Sequence, residues 1–256
     1  MPALTLQPVS GIPLVQPGDD LADMVWNALR QSGIHLHDGD ILVVAQKIVS
    51  KAEGRLVNLN DVEPGEQARE LAGVTQKDAR FLELVLRESR EVLRTRPGTI
   101  IVEHNCGFVC ANAGIDHSNV EGPWGNAEDW VLLLPENADR SAQRLRDALQ
   151  ERSGAQVGIL IIDSHGRAWR MGTVGAAIGV AGLPGLVDLR GQPDMFGYTL
   201  RVTMVAAADE LAAAASLVMG QADEQTPLVH VRGFPYALRE ASLSELIRPK
   251  ELDMFR

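Results

Sequence analysis

The run VGILII, from Val157 to Ile162, limits most strongly what this chain can fold into. Six consecutive apolar residues are too few to cross a membrane, and they carry no helical spacing, so they predict a strand buried on both faces. DSHGR follows without a gap, which sets Asp163 at the carboxyl end of that strand. Ile41 to Ala45, Thr99 to Val102, Trp130 to Leu134 and Leu228 to Val231 are further short strands of the same kind. Behind Ile41 to Ala45 comes a polar turn, Gln46 to Arg55, holding Lys47, Lys51 and Glu53. Strand ends of this sort are where ligands dock in mixed sheets.

The remaining segments read as helices and loops. Leu21 to Gln31 has helical spacing, with Asp19 and Asp20 as N-cap candidates and Gly33 as its stop. Phe81 to Leu93 reads as a charged amphipathic helix closed by Arg96-Pro97-Gly98, and Ser141 to Arg152 as another, capped by Asn137 or Asp139 and stopped by Gly154. Val205 to Met219 is an alanine-rich helix with Gly220 beyond its end. Leu4 to Val9 fits a weak strand, residues 56–78 a loop and a polar helix, and Ser242 to Ile247 a short helix. Gly172 to Gly185, with glycine every three or four positions, fits either close helix packing or a mobile phosphate-cradling loop. The elements follow no strict strand–helix–strand rhythm and no linker cuts the chain, so the expected fold is α+β, one two-lobed unit over residues 1–256. There is no G-x-x-x-x-G-K-[ST], no G-x-G-x-x-G, no G-x-S-x-G and no H-E-x-x-H, so any nucleotide site is built without a P-loop or a dinucleotide fingerprint.

Charge and composition narrow the partners. A net charge of −10 with 4% aromatic residues speaks against nucleic acid, which needs a basic footprint and stacking surfaces. A small phosphorylated ligand remains open, because a divalent cation can join acidic protein to acidic ligand. MPALTLQPVSGIPLV lacks the basic start and apolar core of a signal peptide, and no apolar run is long enough for a membrane span. With only Cys106 and Cys110, spaced poorly for zinc, the expectation is a cytoplasmic protein whose thiols pack rather than bridge.

Glu103 to Asn119, EHNCGFVCANAGIDHSN, crowds glycine and asparagine into a stretch without an apolar period. Such a backbone turns tightly and presents amides and carbonyls. Asp116 in that bend and Asp163 with Ser164 after the strand form an oxygen-donor set for Mg2+ or Mn2+, each aspartate being equally readable as a turn or cap residue. Arg167 and Arg170 either brace an anion or flank a buried Trp169, and Asp209-Glu210 either faces a site or forms the wet edge of its helix. The six histidines show no ligand spacing and read as structural.

GIPLVQPGDDL, GDILVVAQKIVSKAEGR, HNCGFVCANAGIDHSNV, IIDSHGRAWRMGTVGAAIGVAGL, VAAADELAAAASLVMG and VRG, in that order from Gly11 to Gly233, resemble the coenzyme F-420:L-glutamate ligase family in its stand-alone form. The resemblance implies an α+β fold without a P-loop, forming an intertwined homodimer. It implies a GTP-dependent ligase that joins L-glutamate to the phospholactyl carboxylate of a deazaflavin precursor through an acyl phosphate, some members adding further γ-linked glutamates. It implies Mg2+ or Mn2+, as two ions, and K+. Position by position, it assigns the metal ligands to Asp116, Asp163, Ser164 and Gln221, the serine standing where the family usually has threonine. GTP contacts would come from Ile12, Pro13, Leu14 and Val15, from Gln46, Lys51 and Asn119, and from Met219, Gly220, Gln221, Ala222, Asp223, Glu224, Gln225 and Thr226. No catalytic base is assigned. A metal-dependent phosphohydrolase or phosphotransferase built on the same aspartates is the competing expectation.

Overall fold

A computed structural model describes residues 3–254. In chain order its elements are β1 (Thr5–Pro8), α1 (Leu21–Gln31), β2 (Ile41–Ala45), α2 (Gln46–Ala52), β3 (Leu56–Asn58), α3 (Glu66–Thr75), α4 (Ala79–Arg87), β4 (Ser89–Arg96), β5 (Thr99–His104), β6 (Val109–Ala111), β7 (Trp130–Leu132), α5 (Ala138–Ser153), β8 (Gly158–Arg167), β9 (Arg170–Ala181), β10 (Val187–Asp188), β11 (Met204–Val205), α6 (Ala207–Met219) and β12 (Leu228–Arg232). None of the described helices is long and apolar enough to cross a membrane.

The central sheet runs β1-β12-β2-β8-β9, with β2 and β8 parallel and the other pairs antiparallel. Its middle strands are apolar on both faces because both faces are covered. Leu42, Val44, Ile159 and Ile161 pack with α1 and α5, while Ile41, Val43, Leu160 and Ile162 pack with α6. A second core lies between the antiparallel sheet β4-β5-β6 and α4, around Ile100, Val102, Leu82 and Val85. The mixed α+β architecture expected from the sequence is present.

Several local expectations are corrected. The helix expected over Phe81 to Leu93 stops at Arg87, and Ser89–Arg96 is a strand. Pairing with β5, Val92 against Val102, overrides the helical spacing, and Asn105 takes the freed carbonyls of Arg87 and Glu88. Gln46 to Ala52 is a helix rather than a turn. The glycine-rich segment is neither packed helices nor a mobile phosphate loop: residues 170–181 are an edge strand. Its glycines are close-approach positions. A Cβ on Gly175 would lie 2.4 Å from the Ala212 carbonyl oxygen, and one on Gly179 2.6 Å from the Ala138 backbone. Helices α6 and α5 thus rest directly on β9, and their first turns cap its outer amides: Ala177 N–H donates to Asp209 (2.9 Å) and Val180 N–H to Asp139 (2.8 Å). Asp209 is therefore not a wet edge: it is half-buried and caps the edge strand. Trp169, buried in one of the two readings of the Arg167–Arg170 pair, stands exposed in the β8–β9 turn between them.

Asp40, at the start of β2, is 1% exposed. It accepts from His230 (2.9 Å), from Arg232 Nε (2.8 Å) and Nη2 (2.7 Å), and from the His37 amide (2.9 Å). Burial alone would raise its carboxyl; these bonds outweigh burial and hold it well below the usual carboxylate range. An acid whose folded value is depressed stabilises the fold above its unfolded value and loses that contribution as pH falls. Asp40→Asn is expected to lower stability by about 3 kcal/mol at pH 7, and the deficit relative to the native chain should shrink below about pH 4. Urea titrations at pH 7 and pH 3.5 check this; an equal deficit at both would remove the charge from the account.

Candidate functional site

β2 pairs with β8 only as far as Ala45 against Ile162, because the chain then turns into α2. β8 continues beside β9 to Arg167. Asp163 is therefore not at the end of its strand, as expected, but is the first residue beyond the shared β2–β8 ladder. There a crevice opens between the start of α2 and the exposed flank of β8.

Side chains one turn apart on α2 line that crevice. Gln46 is buried; its Nε2 donates to Asp116 Oδ2 (2.8 Å), and its Oε1 accepts from Ser50 (2.9 Å). Lys47 Nζ lies 3.5 Å from Asp116 and donates to the Ser118 carbonyl (3.0 Å) and hydroxyl (2.8 Å). Lys51 Nζ donates to the Asn119 carbonyl (2.8 Å), while Asn119 Nδ2 reaches the Ala222 carbonyl (3.2 Å). Burial first, then the charge of Lys47, lowers the Lys51 ammonium; Glu121 opposes them.

Asp116 is presented by a strained bend. Asn112, Ala113 and Gly114 have φ of 54°, 53° and 66°, a left-handed turn in which each non-glycine residue costs about 1–2 kcal/mol. Gly114 sits against Leu134, where a Cβ would come within 2.6 Å. Asp116 is then clamped by paired backbone bonds with Leu132 (3.0 and 2.9 Å). Burial first, then the nearby charge of Asp163, raise its carboxyl to about 6 against the opposing effects of Lys47 and Gln46. The two aspartates thus lie within electrostatic reach, from a loop and a strand 47 residues apart in sequence (163 − 116).

Successive strand residues face opposite ways. Asp163 looks toward His165 and the half-buried Phe108; its Oδ2 lies 3.1 Å from His165 Nε2. Ser164 looks toward α6, where its hydroxyl donates to Gln221 Oε1 (2.7 Å), and Gln221 Nε2 donates to Ser216 (2.9 Å). The four residues assigned to metal therefore form two donor pairs, Asp116 with Asp163 and Ser164 with Gln221. All are oxygen donors suited to hard cations. Among the described residues no three His, Cys, Asp or Glu side chains gather as a metal cage. The donor set fits ions that keep several positions for water and phosphate oxygens, and a cation would relieve the Asp116–Asp163 repulsion.

The other predicted positions are placed as follows. Residues 9–18 are anchored by Val9 N–H to Leu228 and Gly18 N–H to Ala52, both 2.9 Å, which lays Ile12 to Val15 alongside α2. Ile12 and Val15 pack into the core, whereas Leu14 is 85% exposed. Met219 is buried at the end of α6. Beyond it the loop closes on itself: Ala222 N–H donates to the Glu224 carboxylate (2.8 Å) and the Thr226 hydroxyl to the Glu224 carbonyl (3.0 Å). Gly220 (φ 76°) and Gln225 (φ 54°) are left-handed, and Asp223 is exposed. Arg167 and Arg170 stand at the far turn of the β8–β9 hairpin, four ladder rungs past Asp163. Two clefts, of 340 Å³ between α1, α2 and α5 and of 420 Å³ beside Arg90 and Asp139, share no residue with this crevice.

Sequence reasoning missed Ser50, Ser216 and His165, and gave Lys47 no task of its own. Ser50 is one helical turn from Gln46, and His165 shares the Asp163 face by period two, so both were reachable from spacing. Ser216 had no local signal.

A family model described as F420-0:Gamma-glutamyl ligase matches residues 11–233. The chain is 46% identical to the coenzyme F420:L-glutamate ligase of Methanothermobacter thermautotrophicus over 255 residues, 99% of each chain. It is 45% identical to that of Methanopyrus kandleri over 260 residues, covering 100% of this chain and 99% of the relative. It is 43% identical to that of Archaeoglobus fulgidus over 249 residues, covering 97% and 95%. On a match that spans both aspartates, α2 and the 219–226 loop, the chain belongs to the F420-0:gamma-glutamyl ligase family.

Proposed function

We propose that this ligase joins L-glutamate to the phospholactyl carboxylate of the deazaflavin F420 precursor at the expense of GTP, by way of an acyl phosphate. The observation that carries this reading is the convergence of Asp116 and Asp163 in one crevice, with Lys47 and Lys51 on the facing helix.

A carboxylate does not acylate an amine at neutral pH without activation. In the proposed sequence the precursor carboxylate oxygen attacks the γ-phosphorus, the β–γ bridging bond breaks, and GDP leaves. The glutamate amine then attacks the acyl carbon, the carbon–oxygen bond breaks, and phosphate leaves as the amine sheds a proton. Mg2+ or Mn2+, as two ions with K+ assisting, would be held by the pairs Asp116–Asp163 and Ser164–Gln221 and would neutralise phosphate charge. The chain's own residues do the positioning. Gln46 and Ser50 fix the Asp116 carboxylate, Ser216 fixes Gln221, and Lys51 exchanges the Asn119 carbonyl for phosphate oxygens. The backbone of residues 12–15 and of the 219–226 loop walls the guanosine side. Further γ-linked glutamates would follow by repetition of the same two steps.

Lys51→Ala is expected to raise the KM for GTP roughly tenfold, about 1.4 kcal/mol, with kcat changed much less; initial rates at varied GTP check it. The reading as a whole is tested by measuring GDP release with each substrate withheld. Release that requires both glutamate and precursor supports it. Brisk release with neither assigns the site to phosphohydrolysis.

The reading includes a homodimer. The segment between β10 and β11 exposes Met195, Phe196 and Val202, each 85% or more, together with Tyr198. Such an apolar surface fits burial by a second copy. Phe196→Asp is expected to shift the sedimenting mass from two chains toward one; an unchanged mass would place the contact elsewhere.

A further inference from the structure

His165 lies beside the proposed cation site. His230 bonds to Asp40; His104 Nδ1 accepts the Cys106 amide (3.0 Å), and its buried Nε2 is also unpartnered, with the Glu88 carboxylate 3.8 Å away. His165 Nε2 is buried and has no hydrogen-bond partner, although Asp163 Oδ2 lies 3.1 Å away. The carboxylate is close but off the line a hydrogen bond needs. The ring is held there: it leans on Phe108 at 5.2 Å, and Phe108 stacks flat on buried His104 at 5.0 Å. Asp163 and His165 share a face of β8 by strand alternation, so the juxtaposition is built into the backbone.

Two donor atoms about 3 Å apart, close yet unbonded to each other, are spaced like neighbouring ligands of one small cation. In an octahedron with bonds of about 2.1 Å, adjacent donors lie about 3 Å apart. We propose that His165 Nε2 is itself a cation ligand beside Asp163 Oδ2, and that this imidazole biases the site toward first-row transition cations over Mg2+. The inference rests on the reading of Asp163 as a cation ligand and adds a nitrogen to an otherwise all-oxygen set. Mg2+ takes imidazole poorly, whereas transition ions accept it. Water and nucleotide oxygens complete the coordination.

The test uses the full chain loaded with Mn2+ and no nucleotide. Electron spin echo envelope spectra are expected to show 14N modulation from one imidazole, replaced by 15N coupling when the histidines are 15N-labelled. His165→Phe, which keeps a ring against Phe108, is expected to abolish the modulation and weaken Mn2+ binding roughly tenfold or more, with Mg2+ binding much less affected. His117→Phe should leave the signal intact. His165→Gln serves if the phenylalanine variant does not fold, and the labelled native chain needs no variant. Mn2+ bound at an Asp163-dependent site without nitrogen coupling, or with coupling that survives loss of His165, overturns the proposal and leaves the wider reading standing. Mn2+ binding that is absent, or indifferent to Asp163→Ala, overturns both.

Discussion

Asp163→Ala is expected to yield a folded protein whose glutamate- and precursor-dependent GDP release falls at least about a hundredfold, the scale seen when a charge-stabilising group is removed from a reaction centre. The fold should survive because Asp163 bears no structural hydrogen bond like those of Asp40. It is half-buried, its carboxylate is 3.1 Å from His165, and the rest of β8 is held by its ladder with β9. Its removal also relieves Asp116. The neighbouring charge adds to the burial that raises the Asp116 carboxyl to about 6, so without it that value should drop toward the ordinary carboxylate range. Stability should therefore change by less than about 1 kcal/mol. Circular dichroism with a GDP-release assay separates the outcomes. A well-folded variant turning over near the native rate would take Asp163 out of the reaction.

Gly175→Ala should do the reverse, damaging the fold first. Its backbone conformation suits any residue, so no strain arises from φ. The obstacle is space: the new Cβ would sit 2.4 Å from the Ala212 carbonyl oxygen and 2.6 Å from Ser216 Cβ, neither a flexible chain end. α6 must lift from β9, at a cost of about 2–3 kcal/mol, the upper range for overpacking. Lifting α6 also moves Ser216, which holds Gln221 against Ser164, so activity in the surviving folded fraction should fall as well. Gly172→Ala is the matched comparison. Nothing lies within 4 Å there, and its φ of 79° implies only about 1–2 kcal/mol of backbone strain. Urea midpoints rank the two. Equal midpoints would mean that the close approach of α6 to β9 contributes nothing.

How far the sequence revealed this molecule depended on whether the deciding contacts were local. α1 and β2 occupy the spans read from apolar spacing and caps: Asp20 accepts the Asp23 amide, and Asn137 accepts the Arg140 amide at α5. The β4 strand was hidden because its charged sequence forms a strand only against β5. The glycines of β9 were misread because their purpose lies in what packs on them, Ala138 and Ala212, far off in sequence. At the site, Asp116, Asp163, Ser164 and Gln221 were assigned to metal from motif order; in the fold Asp116 lies within electrostatic reach of Asp163, and Ser164 bonds to Gln221. That Asp116 meets Gln46 and Lys47 across 70 and 69 residues (116 − 46 and 116 − 47) follows from the fold alone. His165 was passed over because it was judged by histidine-to-histidine spacing, whereas the group beside it is the aspartate two residues before it.

The central claim, that two acidic side chains and the facing lysines of α2 serve glutamate ligation driven by GTP, is tested most directly by mass spectrometry of the deazaflavin product. The protein would be incubated with GTP, Mn2+ or Mg2+, L-glutamate and the precursor. The account predicts a product heavier by one glutamyl residue, or by a whole number of them, formed in step with GDP and absent with Asp163→Ala. Precursor recovered at its original mass while GDP accumulates would contradict it.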